Sequence, residues 1–277
     1  MRTVNLMGMV AVAMGLMGCA PPAPRLSPAQ LDPLRATQTV GAPLNQSISY
    51  VHSANVGGIT VIYVHGTPGQ AEGWTDYVLD PVAGTQALAL DRPGFGRSGP
   101  ETALTSIALQ AAAVFALFPQ DGSQVVLVGH SLGGAVVARV AAEHAQRIKA
   151  LVLLASALDP AQEKINPLQY VAQIWPMRSM LPRALRNANA ELMVFKAELE
   201  ALQPLLPLIT APTIIVHGTK DDLVPFANVA YMQAHLSGAQ CVRTIVLPGL
   251  NHFLPWNAEP VVRQAVQWAV HADCSAP

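Results

Sequence analysis

The sequence predicts an α/β fold: a mostly parallel sheet of the eight-stranded type, with helices on both faces and a small helical cap. Two observations carry this prediction. Short apolar runs rich in β-branched residues alternate with helical patterns along most of the chain, which is typical of buried parallel strands joined by helices. The alternation stops over residues 158–208, where six prolines punctuate a helical pattern, and this break indicates an inserted segment.

The N-terminus has the layout of an export signal. Residues 1–3 carry one positive charge, residues 6–17 are apolar or glycine throughout, and L-M-G-C at 16–19 resembles a bacterial lipobox. The apolar run is too short and too close to the N-terminus for an ordinary membrane span. The resemblance implies cleavage before Cys19 and lipidation of that cysteine, whereas the alternative is a plain exported protein with an incidental cysteine.

The expected location follows from this signal. P-P-A-P at 21–24 predicts a short extended tether, and an acylated N-terminus would hold the protein stably on a membrane. We therefore expect an exported bacterial lipoprotein, membrane-anchored at the periplasmic face or the cell surface. The expected divisions are a signal peptide at 1–18, a tether and lead-in at 19–45, an α/β core in two parts at 46–157 and 209–277, and the cap at 158–208.

Composition narrows the class of partner. The 277 residues carry a formal net charge of −1, which gives no argument for a nucleic-acid partner. No cluster of histidine, cysteine and carboxylate residues has metal-ligand spacing, so the sequence predicts neither a metal nor another cofactor. The sequence leaves the oligomeric state open.

Two cysteines remain if Cys19 is lipidated. Cys241 directly precedes a predicted strand at 242–247, and Cys274 follows a helical pattern at about 259–272. A helix that runs back antiparallel to this strand would end near the start of the strand. We therefore predict a Cys241–Cys274 disulfide, which closes a loop of about 30 residues in an oxidising compartment.

The first half of the core contains strands that end in glycine-bearing loops. The predicted elements are an edge strand at 47–53, strands at 59–64 and 86–90, and a helix at 103–118. The strand at 59–64 ends in H-G-T-P-G at 65–69, and the next strand leads into D-R-P-G-F-G-R-S at 91–98. Taken alone, the first loop is also compatible with an ordinary β-to-α turn.

A strand, a G-H-S-L-G pentapeptide and an apolar helix then follow one another, starting at residue 125. This order is the layout of a nucleophile elbow, in which a sharp turn lifts the hydroxyl of Ser131 off the sheet. Side chains at Gly129 and Gly133 would collide with neighbouring elements, and Ser131 would adopt a strained backbone conformation. The amide of Leu132, at the helix N-terminus, can face a developing oxyanion. The alternative is an ordinary glycine-rich turn from strand to helix that has no catalytic role.

With the octapeptide at 91–98 before this elbow, the chain resembles the α/β-hydrolase superfamily, in its capped serine-hydrolase branch, over roughly residues 46–270. The resemblance implies that Asp91 and Arg92 stabilise a turn and have no catalytic role. It also implies that the loop at 65–69 supplies the second oxyanion amide. By position this is the amide of Thr67, because Pro68 has no amide hydrogen.

The same resemblance implies the acid and the base. Strands are predicted at 149–155, 213–216 and 242–247. In the family the acid lies three residues after the glycine that follows the second of these strands, which is Asp221; Asp159 and Asp222 are the alternatives, and Asp222 is more compatible with a cap of the next helix. His252, in the loop after the last strand, stands where the family keeps its general base. The chain order Ser131, Asp221, His252 is the order that the fold requires.

We therefore expect a serine hydrolase that cleaves a small-molecule carboxylic ester through an acyl-enzyme. A serine at position 131 argues against haloalkane dehalogenases and epoxide hydrolases, whose members of this fold use aspartate there. The alternatives on the same triad are hydrolysis of a C–C bond, lactone or thioester, perhydrolysis and acyl transfer. A non-catalytic binding lipoprotein is a further alternative of another class.

Five large side chains of the predicted cap have two possible roles. Trp175, Met177, Met180, Leu181 and Phe195 either line the substrate pocket or form the cap's own core.

Overall fold

The computed structural model describes residues 28–54, 57–272 and 274. The expected signal peptide, Cys19 and the tether up to residue 27 therefore lie outside the described residues. The described strands are β1 (Arg35–Val40), β2 (Gln46–His52), β3 (Ile59–Val64), β4 (Thr85–Leu90), β5 (Val125–His130), β6 (Ile148–Leu154), β7 (Thr213–Gly218) and β8 (Val242–Leu247).

These strands form one eight-stranded sheet in the order β1-β2-β4-β3-β5-β6-β7-β8. β2 pairs antiparallel with β1 and with β4, and all other neighbours pair parallel. The predicted fold class is confirmed. Because the parallel strands run the same way, the loops that follow β3, β5, β7 and β8 meet at one edge of the sheet.

Helices cover both faces of the sheet. The described α-helices are α1 (Pro28–Leu31), α2 (Thr75–Leu79), α3 (Ile107–Phe115), α4 (Leu132–Glu143), α5 (Pro167–Val171), α6 (Met177–Met180), α7 (Arg183–Leu202), α8 (Ala227–His235), α9 (Leu254–Asn257) and α10 (Glu259–His271). The helix predicted over 103–118 is shorter than expected, because the Ser106 side chain accepts a hydrogen bond from the Leu109 amide and caps the helix there. None of the described helices combines the length and the hydrophobicity that a membrane-spanning helix needs.

Side chains of successive residues in the central strands pack on opposite faces of the sheet. In β5, Val125 and Leu127 join the apolar cluster that α3, α4 and α7 cover, while Val126 and Val128 join the cluster beneath α2 and α10. All four side chains are fully buried. Burial on both faces explains why β5 is apolar at consecutive positions, and each such side chain contributes roughly 1.5–3 kcal/mol to stability.

The segment between β6 and β7 consists mainly of helices. We call residues 158–208 the cap; it contains α5, α6, α7 and a 3₁₀ turn at Gln203–Leu208. α7 packs Phe195, Leu199 and Leu202 into the apolar cluster on the α4 side of the sheet. By contrast, no residue of α5 or α6 is buried. The cap is thus attached to the sheet mainly through α7.

Cys241 and Cys274 form a disulfide, with Cα atoms 5.9 Å apart and a sequence separation of 33. Cys241 directly precedes β8, and Cys274 lies three residues after the end of α10. The pairing is the one expected from the sequence, and it fastens the C-terminal end of the described chain to the edge of the sheet.

Candidate active site

Ser131 stands between the last residue of β5 and the first residue of α4. Its backbone has φ 57° and ψ −127°, a region that residues with a Cβ atom rarely adopt. Its amide donates a hydrogen bond of 3.0 Å to the carbonyl oxygen of Leu154. Such a conformation costs about 1–3 kcal/mol and persists only where the surrounding structure fixes it. The strained backbone predicted for this serine is confirmed.

The glycines on either side of Ser131 are required by close approach. A Cβ atom on Gly133 would lie 2.4 Å from the carbonyl oxygen of Val64 in β3, and one on Gly129 would lie 2.6 Å from the carbonyl oxygen of Gly133. Neither of these contacts can be relieved by moving a flexible side chain, because both atoms belong to the backbone. The predicted collisions are therefore confirmed.

The loop after β3 approaches Ser131 from the other side. A Cβ atom on Gly66 would lie 2.7 Å from the Cβ atom of Ser131. Thr67 follows Gly66 and lines the same cavity as Ser131. Leu132 is the first residue of α4, so its amide has no partner within the helix. The two segments with the predicted oxyanion amides thus border the serine.

Asp221 and His252 meet at the carboxyl edge of the sheet. Nδ1 of His252 lies 2.8 Å from Oδ2 of Asp221, and both side chains are buried. The other carboxylate oxygen of Asp221 accepts hydrogen bonds from the amides of Leu223 at 3.0 Å and Val224 at 2.8 Å. These amides fix the carboxylate in the orientation that contacts the histidine.

This contact determines which nitrogen of His252 can act as a base. A carboxylate is an acceptor, so Nδ1 carries the hydrogen and Nε2 keeps its lone pair. His252 and Ser131 line the same cavity. The arrangement of Ser131, His252 and Asp221 therefore has the components of a nucleophile, a base and an acid that orients the base.

The alternative acids have other contacts. Asp159 accepts hydrogen bonds from the amide of Ala161 at 2.9 Å and from the side chain of Gln162 at 3.1 Å. Asp222 is exposed and lines the cavity. The expectation that Asp222 caps the next helix is wrong, because α8 begins only at Ala227 and has no side-chain cap hydrogen bond.

His130 contacts the backbone of His252, which the sequence does not predict. Its Nε2 atom lies 2.9 Å from the carbonyl oxygen of His252, and the two rings are 4.7 Å apart. Burial, and secondarily the nearby His252, lower the pKa of His130 to about 3. His130 is therefore neutral at physiological pH, and its Nε2 hydrogen is donated to that carbonyl oxygen. This bond supports the loop that carries His252.

Arg92 braces the loop beside Ser131, in agreement with its expected structural role. The guanidinium donates hydrogen bonds of 2.9 Å to the carbonyl oxygens of His65 and Gly66. The amide of Arg92 donates to Nε2 of His65 at 2.9 Å, so the hydrogen of that ring lies on Nδ1. Burial, followed by the charge of Arg92, lowers the pKa of His65 well below its usual value and keeps the ring neutral.

Glu191, in α7 of the cap, completes this network, and no local sequence pattern predicts its role. Its carboxylate pairs with the guanidinium of Arg92 at 2.7 Å, and the two side chains are 1% and 0% exposed. Glu191 also accepts hydrogen bonds from the side chains of Gln110 and Thr67. The cap is thus connected through one buried carboxylate to the loop whose Thr67 amide is expected to stabilise an oxyanion.

A cavity of about 970 Å³ opens over Ser131. Phe195 is the one member of the five large cap side chains singled out from the sequence that lines it. Trp175 is 80% exposed and Met180 is exposed as well, so both expectations, a pocket wall or a cap core, are wrong for these two residues. They lie on a surface that covers nothing within the described chain.

The charged residues that line the cavity are mostly acidic. Carboxylates come from Glu72, Asp76, Glu163, Asp222 and Glu259, whereas the one cationic side chain among the described lining residues is Lys164. Burial and the neighbouring Asp159 raise the pKa of Glu163 to about 7. The described residues contain no group of histidine, cysteine and carboxylate side chains that could bind a metal ion.

Comparisons with known proteins agree on one family. A family model described as "Alpha/beta hydrolase family" matches residues 61–264. The pimeloyl-[acyl-carrier protein] methyl ester esterase of Edwardsiella ictaluri is 27% identical, over 74% of this chain and 91% of its own length. The dihydrolipoyllysine-residue acetyltransferase component of the acetoin cleaving system of Cupriavidus necator is 32% identical over 55% of this chain, but the match spans 45% of that protein.

The solved structures agree on the fold. A thermophilic esterase from Thermogutta terrifontis matches with a TM-score of 0.66 and 21% sequence identity, over 86% of this chain and 98% of that one.

Proposed function

The chain belongs to the alpha/beta hydrolase family, and from that premise we propose that it is a serine hydrolase that cleaves an uncharged carboxylic ester through an acyl-enzyme. One observation carries the proposal: Nδ1 of His252 lies 2.8 Å from Asp221 Oδ2, at the cavity that Ser131 also lines. The relative in Edwardsiella ictaluri is by name a methyl ester esterase, which supports ester cleavage.

In the proposed reaction, Nε2 of His252 takes the hydroxyl proton of Ser131 as Oγ attacks the ester carbonyl carbon. The resulting imidazolium is stabilised by Asp221 and then protonates the leaving alcohol, which breaks the ester bond and leaves an acyl-serine. Water enters, gives a proton to His252 and attacks the acyl group. The Ser131 oxygen then leaves with that proton, and the free enzyme is restored.

The proposed oxyanion donors are the backbone amides of Leu132 and Thr67. Leu132 supports this role because it begins α4, where the helix dipole favours negative charge. Thr67 supports it because Gly66 brings the loop so close to Ser131 that a Cβ atom would not fit. Donors fixed before the reaction stabilise the transition state without reorganisation, and each contributes about 3–4 kcal/mol in comparable enzymes.

The charge of the cavity supports an uncharged substrate. Glu72 and Glu259 are paired with Arg35 and Arg263, but the remaining acidic lining residues still outnumber Lys164 and disfavour an anionic acyl group. A neutral ester has no such penalty, and the cavity volume of about 970 Å³ is at the upper end of the range for small-molecule sites.

Hydrolysis of p-nitrophenyl esters of increasing acyl length tests this function. We expect turnover in the wild type and a loss of roughly four or more orders of magnitude in kcat for Ser131→Ala. We also expect a loss of similar order for Asp221→Asn, because the amide would stabilise the wrong tautomer of His252.

Matched controls come from neighbouring residues. Asp222 lines the same cavity, and Asp222→Asn should keep most of the esterase activity. Ser179→Ala should leave labelling by a fluorophosphonate unchanged. Absence of both turnover and labelling in the wild type would contradict the proposal and favour a non-catalytic binding protein. Addition of a primary alcohol detects acyl transfer, because an alcohol that outcompetes water yields a new ester.

We also propose that the protein is an exported bacterial lipoprotein, anchored to a membrane through acylated Cys19. The lipobox-like L-M-G-C at 16–19 supports this proposal, and the Cys241–Cys274 disulfide is compatible with an oxidising compartment. Metabolic labelling of the full chain with an alkyne fatty acid should label the wild type and not Cys19→Ser. Equal labelling of the two chains, or none, would contradict the anchor.

A further inference from the structure

The cap exposes an apolar patch to solvent. We define the patch as Leu168, Tyr170, Val171, Ile174, Trp175 and Met180, all of which are exposed. Trp175 and Ile174 stand out, with 80% and 62% of their surfaces accessible. So many large apolar side chains exposed within one short stretch are uncommon on a protein that contacts only water, and they indicate an interaction site.

Over residues 166–175 the polarity of the cap is reversed relative to a helix that packs on its own core. The partly buried positions include Gln169 and Gln173, alongside Ala172, while the apolar side chains point outward. Gln169 uses its polar groups locally: its side-chain oxygen accepts from the amide of Asn166 at 2.7 Å, and its carbonyl oxygen accepts from Asn189 at 3.0 Å. Gln169 on the inward side is thus hydrogen-bonded, and the apolar side chains of this stretch stay exposed.

The charges within the stretch that carries the patch have one sign. Residues 164–181 contain no aspartate or glutamate, and the two cations of this stretch, Lys164 and Arg178, are both exposed. The nearest acidic residue along the chain is Glu163, which is partly buried and lies close to Asp159. The patch therefore suits an apolar surface with negative charge at its boundary.

The patch belongs to the same stretch of the cap as three residues that line the catalytic cavity. Lys164, Asn166 and Gln169 line that cavity, and they belong to the same stretch of the cap as the exposed apolar side chains. A surface that covers the patch would therefore lie beside the part of the cap that lines the cavity over Ser131.

We propose that this patch docks into the interfacial layer of a lipid bilayer that contains anionic lipids. Tryptophan and tyrosine side chains prefer the boundary between headgroups and acyl chains, and the neighbouring cations attract anionic headgroups. Resting on the proposed function, the docked cap delivers a membrane-borne ester into the cavity. A second copy of the chain fits the patch less well, because a two-fold interface through it would bring like charges together.

Fluorescence quenching by brominated lipids tests the docking itself. The full chain is reconstituted on phosphatidylglycerol–phosphatidylcholine vesicles whose acyl chains carry bromine, and emission is compared between wild type and Trp175→Phe. We expect a quenched component in the wild type that is absent in the variant, because Trp74 is buried, Trp256 and Trp268 are partly buried outside the cap, and Trp175 is the most exposed large apolar residue of the described chain. Equal quenching of both chains, on these vesicles, would overturn the proposal.

Activity on two substrates tests the consequence. In the variant Ile174→Ser/Trp175→Ser, hydrolysis of a long-chain p-nitrophenyl ester dissolved in the vesicles should fall at least about tenfold, whereas hydrolysis of p-nitrophenyl acetate in water should not change. The matched control is Leu208→Ser, which alters a 55% exposed leucine outside the patch and should affect neither reaction. Equal losses on both substrates, or no loss on either, would overturn the delivery role.

The outcomes separate this proposal from the proposed function. If the wild type cleaves no ester, the hydrolase proposal fails, but brominated-lipid quenching still decides the docking. If light scattering shows a wild-type dimer that Trp175→Ser converts to a monomer, the patch is a contact between copies and membrane docking is wrong.

Discussion

Glu191 shows how one buried side chain of the cap can influence chemistry elsewhere in the fold. Its carboxylate accepts hydrogen bonds from Arg92 and from Thr67, the residue proposed to donate an oxyanion amide. Arg92 in turn fixes the carbonyl oxygens of His65 and Gly66. Glu191 touches no reacting atom in this account, so we regard it as a positioning residue.

Glu191→Gln should therefore lower kcat about tenfold with little change in KM, because the Thr67 amide contacts charge that develops in the transition state. The folded fraction must be checked by circular dichroism, since disruption of a buried ion pair costs about 3–5 kcal/mol. Thr67→Val is the matched variant, because it removes the hydroxyl and keeps the amide. In the double variant the two losses should not multiply; independent losses, or a rise in KM alone, would contradict the positioning role.

His130 gives the protein a defined response to acid. Its pKa of about 3 in the folded state lies below the usual value of 6.5, so the unfolded chain binds the proton first as the pH falls. The stabilisation from the neutral ring is complete above pH 6.5 and is lost as the pH falls from there toward 3. The corresponding slope is about 1.4 kcal/mol of unfolding free energy per pH unit.

Urea unfolding between about pH 6 and pH 4 measures this slope. In His130→Gln, whose amide can still donate to the His252 carbonyl oxygen, the decline of stability with falling pH should be shallower by about 1.4 kcal/mol per unit. An unchanged slope would show that His130 does not titrate in this way.

At this scale the sequence predicts the residues that belong to local patterns. Ser131 follows from the glycines around it, whereas Asp221 and His252 follow from the resemblance to the family, which also leaves Asp159 and Asp222 open as the acid. Glu191 could not be predicted, because a glutamate in an amphipathic helix is usually solvated and its partner Arg92 is 99 residues away. The contact of His130 with His252 joins residues 122 positions apart, and no sequence pattern predicts it either.

The loop after β3 is the element on which the proposed oxyanion site depends most closely. Gly66→Ala would place a methyl group 2.7 Å from the Ser131 Cβ atom, and the loop would have to move away from the serine. We expect kcat to fall by at least about a hundredfold, similar to the loss of one oxyanion donor. Gly41→Ala, with no atom within 4 Å of the added methyl group, is the control. Full activity in Gly66→Ala would contradict the proposed role of the loop.

Elements that are buried on both faces are easier to predict from the sequence than exposed elements. β5 is buried on both faces, so its apolar run at 125–128 identifies it. β1 could not be predicted, because R-A-T-Q-T-V contains one large apolar residue, and the strand is formed by antiparallel backbone pairing with β2 at the sheet edge. The exposed face of α5 and α6 could not be predicted either, because periodicity shows an apolar face but not what covers it.

The disulfide acts at the scale of the whole molecule. It joins residues 33 positions apart and so restricts the unfolded chain, which corresponds to about 3–4 kcal/mol for a loop of this length. Cys241→Ser/Cys274→Ser should lower the unfolding free energy by this amount and leave activity at room temperature unchanged, because the bond lies outside the catalytic cavity. Reduction of the wild type should give the same loss; a variant as stable as the oxidised wild type would contradict this estimate.

The architecture as a whole was predictable because strand patterns and helix patterns alternate along the chain. Strands buried on two faces need helices on both sides, and parallel strands place their following loops at one edge. The sequence could therefore place Ser131, Asp221 and His252 near one another without any coordinates. The cap's attachment through α7, and the polarity of its outer surface, depend on tertiary contacts and on partners that no local pattern encodes.

The most direct test of the central claim is to trap the acyl-enzyme. The protein is mixed with a p-nitrophenyl ester, quenched in acid within the first turnovers, and digested for peptide mass spectrometry. The mass of the acyl group should appear on Ser131 and be absent from Ser131→Ala. Release of p-nitrophenol by the wild type with acylation at another residue, or with no acylation of Ser131 under any quench time, would contradict it.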